Sequence, residues 1–420
     1  MRQMKNSGIE WVGDIPAEWE CKPIRALFLE NNNKNFLGKE TKALQFKFGE
    51  IVPKQNFNAD DDEYVAETIL KYNIVDKGMI VINGLNLNFD FVTKRVGLVC
   101  DRGIITSAYM SFSVKDLQTV MPEYACYLLK SYDNCAAFHN MGGGVRKILN
   151  FDELKHNLFV LPPLSEQKAI AEFLDKKCGE VDALIAEIQQ EIETLEQYKR
   201  SVITEAVTKG LDPSVPMKDS GIGWLGEIPL LWETKRIAAF YQLRNEKVSD
   251  KDYPPLSVTK QGVLPQLETV AKTDDGDNRK LVRKGDFAIN SRSDRRGSCG
   301  ISDYDGSVSL INIVLKPRGE ANNKYYNWLF HTEQFADEFY KWGNGIVDDL
   351  WTTRWQNMKK IIIPVPPIEE QQQIAEFLDK KCKEIEDIIA DKQSQIETLE
   401  SYKKSLIYEY VTGKKEIIAQ

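Results

Sequence analysis

From Ser291 to Ser298 the chain reads SRSDRRGS, with three guanidinium groups inside five positions and hydroxyls on either side. An arginine fork matches the O6 and N7 acceptors of guanine, while lysine and serine reach phosphate oxygens. Arg292, Arg295 and Arg296, with Ser291 and Ser293, are therefore candidates for contacting DNA. Taken alone, such a loop can also be a solvated surface turn. An earlier stretch, GLNLNFDFVTKRV (Gly84–Val96), offers Asn86 and Asn88, whose amides suit adenine, with Lys94 and Arg95 close by. Lys260 and Gln261 sit at a turn in SVTKQGVLP, whose counterpart in the first half of the chain is QFKFGEIVP. Arg146 and Lys147 end the glycine-rich GGGVRK (Gly142–Lys147), and GNGIVDD (Gly343–Asp349) holds the matching place in the second half. A mobile turn is the plainer reading of each, but a loop repeated in that position suits a shared kind of ligand.

Signatures of catalysis are missing from the sequence. It has no G-x-x-x-x-G-K-[ST], no G-x-S-x-G, no H-E-x-x-H and no G-x-G-x-x-G after a strand. The three histidines (His139, His156, His331) have no second metal ligand nearby in sequence, so neither a catalytic residue nor a metal site is assigned. The seven cysteines are scattered without a CxxC pair, which fits reduced thiols in a cytoplasm. No apolar run is long enough for a membrane helix, and MRQMKNSGIEW has no apolar segment pointing to secretion. Net charge is −8 with a pI near 5.3. That sum argues against nucleic-acid binding, although binding depends on the local field of one surface.

The elements that must position these loops come in two copies. Leu161–Gly210 aligns without a gap on Val365–Lys414, with about 29 identities in 50 positions. MKNSGIEWVGDIPAEWECKPI (Met4–Ile24) aligns on MKDSGIGWLGEIPLLWETKRI (Met217–Ile237), with about 13 identities in 21. The order is head, variable body, long helix, repeated once. The bodies keep one faint match, KGMIVIN (Lys77–Asn83) with KGDFAIN (Lys284–Asn290), each a glycine turn before an apolar strand. Two equivalent units can arrange themselves about a pseudo-twofold axis. We divide the chain into bodies 1–160 and 211–364 and helical segments 161–210 and 365–420, with α/β or α+β bodies. The lysine-to-proline stretch KGLDPSVP ends the first helix and serves as a linker.

Both helical segments carry a heptad stripe. Val181, Ile185, Ile188, Ile192 and Leu195 form the first; Ile385, Ile389, Ile396, Leu399 and Leu406 form the second. Lys199, Lys392 and Lys403 interrupt the stripes. Pro162–Pro163 and Pro366–Pro367 bar helix upstream, and Ser165 is placed to cap the first helix, which would reach about 65 Å. Tethered on one chain, the two stripes can satisfy each other, and short linkers around whole bodies favour antiparallel pairing. Such a pair is a spacer.

With heads SGIEWVGDIPAEWE and SGIGWLGEIPLLWE and stems LPPLSEQKAIAEFLDKK and VPPIEEQQQIAEFLDKK, the chain resembles the specificity subunit of type I restriction-modification enzymes. SVTKQGVLP and GDFAINSRSDRRGSCGIS resemble that family's target-recognition domains, whereas QFKFGEIVP and GLNLNFDF depart from its pattern. The resemblance implies a cytoplasmic, non-catalytic subunit whose two recognition domains each read half of a bipartite double-stranded DNA site. It implies that the antiparallel coiled-coil helices set the gap and dock two methyltransferase subunits, which restriction subunits can join. S-adenosylmethionine, ATP and Mg would then belong to those partners. The alternative is a two-lobed coiled-coil scaffold without a DNA role, which salt-dependent duplex binding would distinguish.

Overall fold

The computed structural model describes residues 2–55, 67–143, 147–266, 276–345 and 351–417. The chain divides into two compact units, Met1–Ile188 with Ser394–Gln420 and Gln189–Gln393. Both divisions fall inside a long helix. Each unit therefore contains one body, the start of the long helix that follows it, and the end of the other.

In the first unit the strands relevant here are β1 (Phe28–Glu30), β2 (Leu44–Lys47), β3 (Glu50–Pro53), β4 (Ile80–Ile82), β5 (Val96–Leu98) and β6 (Met110–Val114). Four of them make an antiparallel sheet in the order β1-β6-β4-β5, and β2 pairs with β3 in a hairpin. The second unit has β7 (Tyr241–Leu243), β8 (Leu256–Thr259), β9 (Gly262–Pro265), β10 (Phe287–Asn290), β11 (Cys299–Ile301) and β12 (Asn312–Pro317). Its sheet order is β7-β12-β10-β11, with β8 and β9 as the hairpin. The two bodies thus share one topology despite their divergent sequences.

The central strands explain why KGMIVIN and KGDFAIN persist. Gly78 and Gly285 turn the chain at φ 88° and 87°, a region open to glycine at little cost. Side chains then alternate across the sheet. Ile80 and Ile82 enter the main core with the helix Pro122–Asn134, while Val81 joins a smaller core with Leu44 and Ile51 of the hairpin. Phe287 and Ile289 repeat the first placement, and Ala288, against Leu256 and Val263, repeats the second. A strand covered on both faces needs an unbroken apolar run.

The long helices span Leu164–Lys209 and Ile368–Val411. The first begins one residue before Ser165, so Ser165 is not its cap; the Pro163 carbonyl instead accepts from the Glu166 and Gln167 amides. Gln167 is fully buried, donating to the Pro162 carbonyl at 2.9 Å and accepting from the Met121 amide at 2.9 Å. Gln371 does the same with Pro366 and Asn322. The indole of Trp19 donates to Glu166 at 3.0 Å, and that of Trp232 to Glu370 at 2.9 Å. Head, body and helix start are fastened by the same contacts in both units.

Helix pairing is antiparallel within each unit. In the first, Asp182 meets Lys403 and the ring of Phe173 lies 4.5 Å from that of Tyr410. In the second, Glu191 meets Lys392 and Lys199 meets Glu386. All ten predicted seam positions are buried or half-buried. Lys199, Lys392 and Lys403 are also half-buried rather than breaks in the seam. Their aliphatic stems lie along it while each ammonium reaches a carboxylate of the other helix.

The end of each helix closes the other repeat's body. Leu406, Ile407 and Val411 complete the first core, and Ala206 and Val207 the second. The buried Tyr124 hydroxyl donates to the Val411 carbonyl at 3.1 Å, and that of Tyr325 to the Val207 carbonyl at 2.8 Å. Removing either hydroxyl leaves a buried acceptor short of a donor. Tyr325→Phe and Tyr124→Phe are each expected to lower stability by about 1–2 kcal/mol, read as a fall in the urea midpoint of the full chain. Unchanged midpoints for both would show that these ties carry no weight.

Candidate nucleic-acid interface

Three loops from distant parts of the sequence meet in the second unit. The β8–β9 hairpin turns at Lys260 and Gln261, both exposed, with Gly262 at φ 113°. A parallel bridge from Val263 to Ser302 sets that hairpin beside the chain leaving β11. The loop joining β10 to β11 is SRSDRRGS. It is tied to the segment after the glycine-rich GNG: the Ser293 amide donates to the Trp351 carbonyl at 3.1 Å, and the Thr353 amide to the Ser291 carbonyl at 3.0 Å. Residues 346–350 of that segment lie outside the described residues.

The arginines of this loop are not equivalent. Asp294 stands between Arg292, whose Nε donates to it at 2.9 Å, and Arg295, whose Nε is 3.7 Å away. Arg295 keeps 67% of its side chain exposed. Arg296 is committed to Asp337 and lies 5.9 Å from the Tyr340 ring centre. Ser291 does not reach outward: it is buried, and its hydroxyl donates to the Ile311 carbonyl at 2.5 Å. That corrects its assignment as a DNA contact, because its side chain is buried and its hydroxyl proton is used inside the fold. Ser293 is half-buried.

The first unit gathers equivalent loops. A parallel bridge from Ile51 to Val99 sets the β2–β3 hairpin beside the chain leaving β5. Between β4 and β5 runs the loop Asn83–Arg95, and the Leu87 amide donates to the Lys147 carbonyl at 3.3 Å. Asn86 (φ 56°), Lys94 and Lys147 are exposed, and Asn88 is half-buried. Arg146 lies outside the described residues.

Arg95 is the second correction. Its side chain is 1% exposed, and the guanidinium donates to the carbonyls of Asn83 (3.1 Å), Leu85 (2.7 Å) and Asp90 (2.5 Å), with the Asp90 carboxylate 3.6 Å away. A buried cation whose terminal nitrogens are directed at loop carbonyls holds the loop's shape from inside and does not reach a base. In sequence, nothing distinguishes Arg95 from the exposed Lys94. The side chains that the sequence reading passed over are apolar: Phe48 at the hairpin tip, and Phe89, Phe91 and Val92 in the loop, all well exposed. Phe-Gly at a tip where polar residues usually sit was the available signal.

Among the described residues no cluster of three His, Cys, Asp or Glu is placed to hold a metal ion, and no helix is long and apolar enough to cross a membrane. The seven cysteines are free. Burial pushes the thiols of Cys126, Cys178 and Cys299 upward and that of Cys382 to about 11, which disfavours the reactive thiolate.

The model of the type I restriction modification DNA specificity domain matches residues 49–194 and 229–398. The putative type I restriction enzyme MjaX specificity subunit of Methanocaldococcus jannaschii is 25% identical over 96% of this chain and 95% of its own length. The StySPI specificity subunit of Salmonella potsdam is 30% identical over 50% of this chain and 47% of its own. In fold, the chain is similar to one from a structural study of complex assembly and conformational transition of the type I R-M system. The TM-score is 0.71 at 13% identity, covering 96% and 99% of the two chains. The HsdS subunit of Thermoanaerobacter tengcongensis gives a TM-score of 0.51 at 15% identity, covering 96% and 98%. With the domain matched twice across most of its length and the repeated fold behind it, this chain belongs to the type I restriction-modification DNA specificity family.

Proposed function

We propose that the chain is the DNA-recognition subunit of a type I restriction-modification complex, each unit reading one half of a bipartite duplex site. The observation that carries this is the gathering of three loops of different chemistry at the same place on the same frame in both units. Divergent loops on a repeated scaffold are suited to recognising different targets. The subunit itself is non-catalytic. S-adenosylmethionine, ATP and Mg belong to its partners, two methyltransferase subunits and restriction subunits, within the cytoplasm. Those partners also supply part of the phosphate-binding surface, which reconciles the net charge of −8 with a DNA target.

In this reading the loops supply base contacts and the helices supply distance. Arg295 is the residue of the arginine loop best placed to fork onto guanine; Arg292 is steered by Asp294, and Arg296 braces the loop against Asp337. Lys260, Gln261, Asn86, Lys94 and Lys147 flank the two reading surfaces and meet phosphates or base edges. The antiparallel helices fix the number of unread base pairs between halves.

Selection from random duplexes by the chain together with its methyltransferase partner is expected to enrich a bipartite site with a constant gap; a single contiguous motif, or none, overturns the reading. On that site Arg295→Ala should relax one half only, at a cost of about 1–3 kcal/mol. Equal loss at both halves would remove Arg295 from base reading. Arg95→Met should instead lower stability by about 2–4 kcal/mol, because a loop held by three carbonyl bonds loses its centre. An Arg95→Met chain that unfolds like wild type would restore Arg95 as a surface contact. Inserting seven residues into one long helix should change the selected gap or prevent assembly, and an unchanged gap would exclude the spacer role.

A further inference from the structure

The first unit's loop cluster ends in exposed apolar groups. Phe48 is 83% exposed, Phe89 82% and Val92 93%. They come from two loops that touch. A Cβ added to Gly49 would stand 2.8 Å from the Cβ of Lys94, so the hairpin tip rests directly on the end of the Asn83–Arg95 loop. Phe48 itself adopts φ 51°, and Gly49 φ 84°, which a bulky residue rarely tolerates. The loop is built with equal care. Arg95 fastens its carbonyls from inside, and the Asp90 carboxylate accepts the amides of Val92 and Thr93 at 3.1 and 2.9 Å. Phe91 stacks on His139 with ring centres 4.6 Å apart. A left-handed aromatic and a buried cation are both unfavourable locally, and together they hold Phe48, Phe89 and Val92 out in water.

The surround indicates what covers them. Lys47 and Lys94 are exposed at this tip and, among the described residues, neither is paired with a carboxylate, although the exposed Glu50 faces Lys47 across the hairpin; Lys147, also exposed, lies beside Leu87 of the same loop. Apolar groups flanked by free lysines complement a surface with apolar points framed by phosphates. In duplex DNA the apolar point of a base-pair edge is the thymine 5-methyl group in the major groove. The same place in the second unit carries Lys260, Gln261 and the arginine loop, so the contrast lies in chemistry on a shared frame.

Resting on the recognition role proposed above, we infer that Phe48, with Phe89 and Val92, reads thymine methyl groups in the first unit's half-site by apolar contact. The arginine loop leaves guanine reading to the second unit.

The test uses the chain with its methyltransferase partner and the bipartite duplex that it selects. Each thymine in both halves is replaced in turn by deoxyuridine, which deletes only the methyl group. At least one replacement, confined to one half, should weaken binding about fivefold, the worth of one buried methyl. In the Phe48→Ala or Phe89→Ala chain that same replacement should have no further effect. The readout changes the DNA rather than the fold, and the unaltered half reports whether each variant is intact. If a bipartite site is selected but no deoxyuridine matters, or the sensitivity survives both variants, the inference fails while the recognition role stands. If no bipartite site is selected, both fail.

Discussion

The antiparallel pairing of the two long helices is the constraint on which the remainder of the structure depends. Within each unit the seam is made from the start of one helix and the end of the other, and the end also finishes a body's core. Val411 lies against the first body and Val207 against the second, each with a buried tyrosine hydroxyl on its carbonyl. A parallel arrangement would leave those termini, and the apolar residues before them, without these cores. The cross-helix pairs Asp182–Lys403, Glu191–Lys392 and Glu386–Lys199 fix register as well as direction, since a slide by one turn would set lysines against apolar neighbours. Partly exposed pairs of this kind contribute little stability, so their role is in specifying alignment.

That arrangement frees the loops. The sheet is secured from below by the helix Pro122–Asn134 in one body and Asn323–Phe330 in the other, and the hairpins cover its second face. Residues between β4 and β5, or β10 and β11, therefore need only satisfy their own backbone. The first unit does so with an internal arginine, the second with Ser291, Asp294 and the Arg296–Asp337 pair. Two solutions to the same closure problem leave two different surfaces.

Much of this was legible in the sequence because repetition makes spacing visible. The heptad stripes, the Pro-Pro boundaries and the KGMIVIN/KGDFAIN strands all follow from period and turn chemistry, and the shared topology follows once both are aligned. The loops were only partly legible. Lys94 and Arg95 are adjacent and of one charge, yet one faces solvent and the other points into the fold; which is which depends on carbonyls brought in from Asn83, Leu85 and Asp90. Ser291 is likewise buried, on the Ile311 carbonyl, which its neighbours in sequence do not reveal. The lysines in the seam were read as interruptions because a charge at a heptad core position usually is one, and only a partner carboxylate at the right height reverses that. Exposed Phe48 contradicts the habit of burying aromatics, and so escaped a search for polar contacts.

The division of the chain also orders its synthesis. Gln189–Gln393 is one continuous stretch, whereas the unit that begins at the amino terminus is completed only by residues from Ser394 onward. On the ribosome the later lobe can close first, and the earlier lobe waits with its core open until the last helical turns emerge. Loss of the residues from Ser394 onward would therefore damage the lobe built mainly from the first half of the chain.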